Sequence, residues 1–504
     1  MRGMSSSSAW STRRFLHATS AEPLSLSVPL PCESPFELYV RLTGCSPPSF
    51  LLESGGENPA IARYSIIGCD PYRTFSAKEN RYEVWNKDGT ISGKGDTFSA
   101  LTEFFTISPY KRSPHLPPFL GGAVGFLSYD MVRGFECLPS EAVDDLDVPD
   151  MWFMFVELAA VLDHVDQALH FIFSPDPRRW LGESRDQLVR EGKSRILEWQ
   201  ERLQSVVESV DLSLDRRAGV PRIQSQQSRK DYVHRVRECQ DFIAAGDIYQ
   251  ANLSHRFSVD LTRQKPFSPH VQGAQWYQKI REVNPSPFSG LFLFEDYALV
   301  SNSPERLVRS EGQRVDIRPI AGTRPRGSTL TEDRRFIEEL LASPKERAEH
   351  LMLVDLARND LGRVCRYGTI AADQFMRVER YSHVSHLVSN VAGLLREGLT
   401  AFDVLRASFP GGTITGVPKV HCMEIIERLE PVRRGVYTGS LGYISWSGDM
   451  DMNILIRTLL LTKERGYLQV GAGIVADSNP DQEYDETVHK AQAFFQAFTQ
   501  KDAG

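Results

Sequence analysis

Short β-like runs recur on both sides of a polar connector in this chain, and neither half can leave them unpaired. Residues 25–200 alternate such runs (Arg63-Tyr64-Ser65-Ile66-Ile67-Gly68, residues 152–162, residues 168–173) with turn signals. Residues 114–118 read as a proline-bounded loop, and a charged amphipathic helix is predicted from Trp180 to about Val210. Residues 211–230 are polar and read as the linker between halves. From Asp231 the pattern is a helix to Ala245, a strand over 248–260, then alternating helices and strands to the end. Because strands on both sides need sheet partners, the halves 25–210 and 231–504 can pack into one body. No internal sequence repeat is visible.

At 504 residues the chain exceeds one ordinary hydrophobic core. Hydrophobic content of 41% and charged content of 24% fit a soluble globular protein. A net charge of −7 argues against nucleic-acid partners, so an anionic substrate would need a local cationic site. The seven cysteines lack any C-x-x-C pair and are odd in number, which fits reduced thiols and a cytoplasmic location. No apolar run approaches the roughly 18 residues of a membrane span, so no membrane association is expected. Residues 1–24 are a disordered or targeting-like start: Arg2, Arg13, Arg14 and a Ser5–Ser8 run precede the first acid, Glu22. That composition leaves organellar import open beside a plainly frayed or misassigned start, with Met4 as a second initiator.

Two glutamate pairs at i,i+3 spacing, Glu346/Glu349 and Glu483/Glu486, lie on segments that read as helices. Such spacing puts both carboxylates of a pair on one helix face. Four hard oxygen donors meeting in one site would suit Mg²⁺. Ser343-Pro344-Lys345-Glu346 also has the form of a capping box, which accounts for Glu346 but not for Glu349 one turn further in. Glu486 and Lys490 also form an ordinary i,i+4 surface pair. Before them, Gly471-Ala472-Gly473 permits close backbone approach by a ligand.

Further motifs follow in order: Gly246-Asp247-Ile248-Tyr249-Gln250, Ser303-Pro304-Glu305, Pro319-Ile320-Ala321-Gly322-Thr323-Arg324, Asp355-Leu356-Ala357-Arg358-Asn359-Asp360, His386-Leu387-Val388-Ser389 and Pro410-Gly411-Gly412-Thr413. Together they resemble the chorismate-utilising enzymes, over roughly residues 30–500. The resemblance implies an α+β fold: two antiparallel β-sheets packed as a sandwich, flanked by helices, with the active site in the cleft between them. It makes residues 231–504 the chorismate-binding catalytic half. It implies Glu349 and Glu486 as direct Mg²⁺ ligands, supported by Glu346 and Glu483. Glu305 matches the general acid that protonates a departing hydroxide, though alone it would read as a turn residue after proline. His386 matches the histidine near the leaving group, with His383 expected on the same helical face. Arg457, Tyr437 and Lys490 match the clamp on the enolpyruvyl carboxylate, where a guanidinium fork suits a planar anion. Thr413 and the backbone of Gly471 and Gly473 complete the implied pocket.

Within the family the nucleophile decides the product. Water-using members resemble one another in carrying lysine where this chain has Gln250. A glutamine cannot act as a general base for water, whereas ammonia needs none, so amination is expected. Three segments resemble the aminodeoxychorismate branch, in which nitrogen enters at C4: Gln250-Ala251-Asn252-Leu253-Ser254, Asn284-Pro285-Ser286-Pro287-Phe288-Ser289, and Gly411 through Thr415-Gly416. Ala321 dissents. It replaces a lysine common in that branch and is the residue of the anthranilate branch, in which nitrogen enters at C2. Leu51-Leu52-Glu53-Ser54 resembles a tryptophan-contacting motif, with Leu52, Glu53, Ser54, Pro285 and Phe288 as its expected lining. A strand end turning at Gly55-Gly56 explains it equally well. No Gly-x-Cys-x-Gly nucleophile turn is present, so ammonia is expected from a separate glutamine amidotransferase subunit. No lyase domain is expected after Gly504. A non-catalytic, tryptophan-binding regulatory homologue is the reading from another class; it needs no complete metal site.

Overall fold

The computed structural model describes residues 15–16, 22–56, 61–106, 108, 110–205, 212, 223–260, 268–283, 285–380 and 384–496. Residues 211 and 213–222 of the expected linker, His383 and most of the targeting-like start lie outside the described residues; further along that linker, Ile223–Ser225 is a strand and Arg229 begins a helix.

Two large antiparallel sheets dominate, and strands from both ends of the chain enter each of them. The first has 13 strands. From one edge its order is Phe15–Leu16, Leu24–Pro29, Ala168–Phe173, Leu158–Asp163, Tyr64–Cys69, Ser49–Glu53, Phe288–Phe294, Tyr297–Ser303, Thr458–Leu461, Arg465–Ile474, Gln250–Asp260 and Ile223–Ser225. Gly416–Val417 adds to Gln250–Asp260. The second sheet has 12 strands: Ile320–Pro325, Val384–Leu394, Arg314–Ile317, Arg306–Glu311, Met450–Asn453, Ser440–Ser445, Gly122–Leu127, Met151–Val156, Arg73–Lys78, Arg81–Asn86 and Gly89–Lys94, with Ala371–Arg380 beside Val384–Leu394. The seams between early and late strands are specific. Leu52 stands opposite Gly290 in one sheet. Phe126 stands opposite Leu441 in the other.

Alternation along the strands sends one set of side chains between the sheets. Phe50, Ile66, Phe292 and Leu299 from the first meet Val124, Phe126, Trp152 and Met154 from the second. Phe126 is 0% exposed, so truncating it to alanine would cost about 3–5 kcal/mol. Helices cover the outer faces. Phe36, Trp199, Trp276 and Phe495, from Pro35–Thr43, Arg185–Gln204, Pro269–Val283 and Pro480–Gln496, close the first sheet. Leu361, Leu405 and Met423, from Pro344–Gly362, Ala401–Ser408 and Lys419–Leu429, pack over the second.

Local chemistry explains where the relevant helices begin. Ser343 accepts a hydrogen bond from the Glu346 N–H, with Pro344 in the first turn of Pro344–Gly362. Helix Arg229–Ala245 stops at Gly246, whose φ of 83° only glycine adopts freely. The helix expected from Trp180 to about Val210 is instead two, Pro177–Gly182 and Arg185–Gln204. Glu183 is extended between them, and Ser184 is extended as the cap of the second.

Candidate active site

Glu305 sits in the crossover between Tyr297–Ser303 in one sheet and Arg306–Glu311 in the other. Its N–H donates to the Ser303 hydroxyl (3.2 Å), and its carbonyl accepts from Ile454 N–H (3.0 Å). The backbone is therefore held while the side chain turns to Thr413, whose hydroxyl donates to Glu305 Oε1 at 2.7 Å. Burial pushes the carboxyl up to about 7, against the pull of Thr413 and of the positive Arg457. Near neutrality it can therefore carry a proton, as a general acid must. Arg457 has no hydrogen bond or ion pair from its guanidinium among the described residues. It is solvent-accessible, yet crowding by protein lowers its pKa below the usual arginine value. A cation so placed is suited to an incoming anion.

His386 is not on a helix. It belongs to strand Val384–Leu394, which Val384, Val388 and Val391 favour and which pairs with three neighbouring strands. The i,i+3 spacing to His383 was therefore no sign of a shared helical face. Its Nδ1 lies 3.0 Å from Thr323 Oγ1 and 3.3 Å from the Gly322 carbonyl. Burial lowers its pKa, so the ring is neutral at pH 7. Ala321, 6% exposed, pairs with Leu387 on the same ribbon. Gly322 holds φ at 73°, and a Cβ there would come within 2.8 Å of Glu346 Oε2. The glycine thus brings the Glu346 carboxylate against the ribbon bearing His386.

The capping box at Ser343 is half-made. Glu346 does not return to its own helix end but pairs with Arg324 at 3.0 Å. Glu349 is half-buried, and its pKa is raised by burial first and then by the negative charges of Glu346 and Glu486; Gln250 hydrogen-bonds to it. Glu483 is raised by burial and by Glu486. Glu486 pairs with Lys490 at 2.7 Å, and Lys490 Nζ also donates to the Gly471 carbonyl at 2.8 Å. The four glutamates of two helices therefore share one electrostatic neighbourhood. Among the described residues no three acidic, histidine or cysteine groups are close enough to form a finished metal cage.

Gly471 and Gly473 lie opposite Ser254 and Asn252 on strand Gln250–Asp260. On its other edge their strand pairs with Thr458–Leu461 only at Gly466–Leu468, so the glycine segment extends beyond that partner. A Cβ on Gly471 would fall 2.2 Å from Asn252 Oδ1 and 2.6 Å from the Tyr437 hydroxyl. Neither Asn252 Oδ1 nor Gln250 Oε1 has a hydrogen-bond partner among the described residues. Gln250, Asn252, Tyr437, Gly471 and Lys490 thus meet on one side, joined through Glu349 and Glu346 to the Glu305–Arg457–His386 side.

Arg434 was missed from sequence. It is 2% exposed and bonds Glu430 (2.8 and 3.0 Å), the Ile414 carbonyl (2.8 Å) and the Asn252 carbonyl (2.6 Å). It ties the Thr413 turn to the Gln250 strand. The i,i+4 spacing of Glu430 and Arg434 was its only trace in the sequence.

A separate cavity lies elsewhere. It measures about 310 Å³ and is lined by Leu52, Glu53, Ser54, Phe288, Arg306 and Asn453 among others. Pro285 is exposed and outside that lining. Glu53 is occupied by Arg281 (2.6 Å) and the Tyr277 hydroxyl (2.7 Å), and Ser54 by the Tyr64 carbonyl (2.6 Å).

Comparison with known proteins agrees with this geometry. Residues 47–496 match the family model described as chorismate binding enzyme. Anthranilate synthase component 1 of Thermus thermophilus is 44% identical over 472 residues, covering 94% of this chain and 96% of that one. Aminodeoxychorismate synthase component 1 of Bacillus subtilis is 40% identical over 479 residues, covering 94% and 97%. The crystal structure of anthranilate synthase component I from Streptococcus pneumoniae superposes with a TM-score of 0.74 at 34% identity, covering 86% of this chain and 92% of that one. By its sequence, and by a fold that superposes on that of the Streptococcus pneumoniae enzyme, this chain belongs to the chorismate-binding enzyme family.

Proposed function

We propose that this chain aminates chorismate at C4, using ammonia from a glutamine amidotransferase subunit, to give 4-amino-4-deoxychorismate for 4-aminobenzoate and folate synthesis. One observation carries the choice of branch. Two of the three segments that mark it form a single hydrogen-bonded unit: Asn252 N–H donates to the Thr415 carbonyl (2.8 Å), and the Thr415 hydroxyl donates to the Gly411 carbonyl (2.9 Å). That unit adjoins Thr413, which holds Glu305. A Cβ on Gly411 would come to 2.7 Å from Ile454 Cδ1, so the alanine common in anthranilate enzymes would require the end of that side chain to shift.

In this reading Arg457, Tyr437 and Lys490 hold the enolpyruvyl carboxylate, with Thr413 and the backbone of Gly471 and Gly473 around the substrate. Protonated Glu305 gives its proton to the departing C4 hydroxyl, which leaves as water, while neutral His386 stands beside it. The C4–O bond breaks, a C–N bond forms, and the added nitrogen gives up one proton. Gln250 cannot accept a proton at neutral pH, so it cannot activate water, which suits ammonia. Glu349 and Glu486, supported by Glu346 and Glu483, would hold Mg²⁺; their mutual repulsion fits a dication between them. When bound, the ion would anchor the ring carboxylate as a Lewis acid. The relatives' "component 1" names support a partner component that supplies ammonia. The cavity at Leu52, Glu53 and Ser54 would take tryptophan as a regulatory ligand, and its volume suits one small molecule.

A second reading, amination at C2 with pyruvate loss to give anthranilate, is favoured by Ala321, which cannot form a covalent adduct, and by the first relatives' names. Chorismate, Mg²⁺ and ammonium with the purified chain separate the two. Aminodeoxychorismate, seen as 4-aminobenzoate only after a lyase is added, supports C4; fluorescent anthranilate without lyase supports C2.

A further inference from the structure

Beside Glu305 is a second and much smaller cavity of about 30 Å³, whose lining does not include Arg457. Its lining joins groups far apart in sequence: Glu305, Thr413, Ala357, Asp360 and Ser408. Asp360 is 8% exposed, near the C-terminal end of the helix that carries Glu346 and Glu349, and is gripped by Lys419 Nζ at 2.8 and 2.9 Å. Lys419 also donates to the Ser408 carbonyl at 3.3 Å. Ser408, 1% exposed, has a hydroxyl with no hydrogen-bond partner among the described residues. A buried hydroxyl left without a partner is costly. A cavity holds water once it offers roughly 10–15 Å³ and two to four polar partners. At about 30 Å³ this cavity meets the first condition, and Ser408, Glu305, Asp360 and Thr413 among its lining residues can supply the polar partners.

We propose that ordered water fills this cavity, hydrogen-bonded to Ser408 and Asp360, hydrates the Glu305 carboxyl from that side, and so sets how firmly Glu305 holds its proton. Ser408 and Asp360 are then positioning residues acting through water. The charged and titratable groups around Glu305 frame the effect. Arg457 and, beyond it, His386 stand on the substrate side. Across the small cavity stand Asp360 with Lys419, and Arg318, which is itself paired with Glu379. Arg306 is spent on Asp451 at 2.8 Å. Water that can reorient favours the ionised carboxylate, whereas the negative Asp360 disfavours it, so removing each should move Glu305 in opposite directions.

The role of Glu305 rests on the proposed function, but its proton affinity does not, so the test does not use turnover. Titration of the Glu305 carboxyl is followed by difference infrared spectroscopy of the full chain, with Glu305→Gln identifying its band. Ala357→Val, which fills the cavity, and Ser408→Ala, which removes the water's partner, should each raise the midpoint by roughly half a unit or more. Asp360→Asn should lower it. A high-resolution crystal structure of the parent should show solvent in the cavity, absent in Ala357→Val. A dry cavity in the parent, or unchanged midpoints in both Ala357→Val and Ser408→Ala, overturns the proposal. If Asp360→Asn does not fold because Lys419 loses its partner, the two conservative variants decide it.

Discussion

Thr413 and Glu305, on different elements and 108 positions apart, meet in a 2.7 Å hydrogen bond in which the threonine donates to a buried carboxyl. The bond favours the ionised form, yet burial outweighs it, and the carboxyl titrates near 7. That balance sets when Glu305 can act as an acid. Above about pH 7 the proton is lost, so kcat/KM for chorismate should fall with a limb near that value. Because ammonia itself titrates, the profile should be taken with glutamine and the amidotransferase subunit. A limb unmoved in Thr413→Val would show that another group sets it, since that variant removes a bond favouring ionisation.

The same shift has a consequence for stability. Glu305 is held above its ordinary value of 4.5, so between that value and about 7 the folded chain binds more protons than the unfolded one. Stability contributed by this group is complete below 4.5 and is lost as pH rises through 7. The full difference is at most about 3 kcal/mol. Glu305→Gln, which cannot ionise, is expected to be inactive but to melt at a higher temperature than the parent at pH 8, with the gap closing at pH 5.

The Arg457 guanidinium has no hydrogen bond or ion pair among the described residues, and the residue holds φ at 50°, a conformation non-glycine residues keep at some cost. If it receives the enolpyruvyl carboxylate, Arg457→Ala loses charge-assisted bonds worth about 1.5–3 kcal/mol. KM for chorismate should then rise roughly tenfold to a hundredfold. Calorimetric titration with chorismate checks the same point without catalysis.

Glu486 is half-exposed beside Lys490, so Glu486→Gln should leave the melting temperature within a degree or two. Turnover should vanish, because the amide removes one of the charged ligands proposed for Mg²⁺. A fully active variant, or turnover unaffected by chelator, contradicts the metal assignment.

Ala321 is buried beside Gly322, where lysine stands in many aminodeoxychorismate synthases. Under the C4 reading Ala321→Lys should keep or raise aminodeoxychorismate formation, and Gly411→Ala should lower it through the contact with Ile454. Product chromatography after lyase treatment reads both. Anthranilate as the parent's main product would instead favour the C2 reading.

Much was legible in the chain because it depends on near neighbours. Ser343-Pro344 starts a helix, Gly246 ends one, and residues 168–173 form a strand, since caps and two-residue alternation are local physics. The glutamate pairs were legible as helical faces for the same reason, and Glu486–Lys490 formed as its spacing implies. Partnership at long range was not. Alternation says that Ser49–Glu53 is a strand but not that it lies against Phe288–Phe294, because a half-buried strand can pair with any of similar pattern. His386 shows the limit from the other side: its spacing to His383 suggested a helix, and pairing with three strands decided otherwise. Glu346 fitted a capping box, but Arg324 from another sheet ribbon drew its carboxylate away, an ion pair competing with a local bond. The residue types for the proposed chemistry were thus present in the sequence alone. Tertiary packing decided which of them are buried, and burial is what places the Glu305 proton near neutrality, while the same packing leaves the Arg457 guanidinium without a hydrogen bond or ion pair among the described residues.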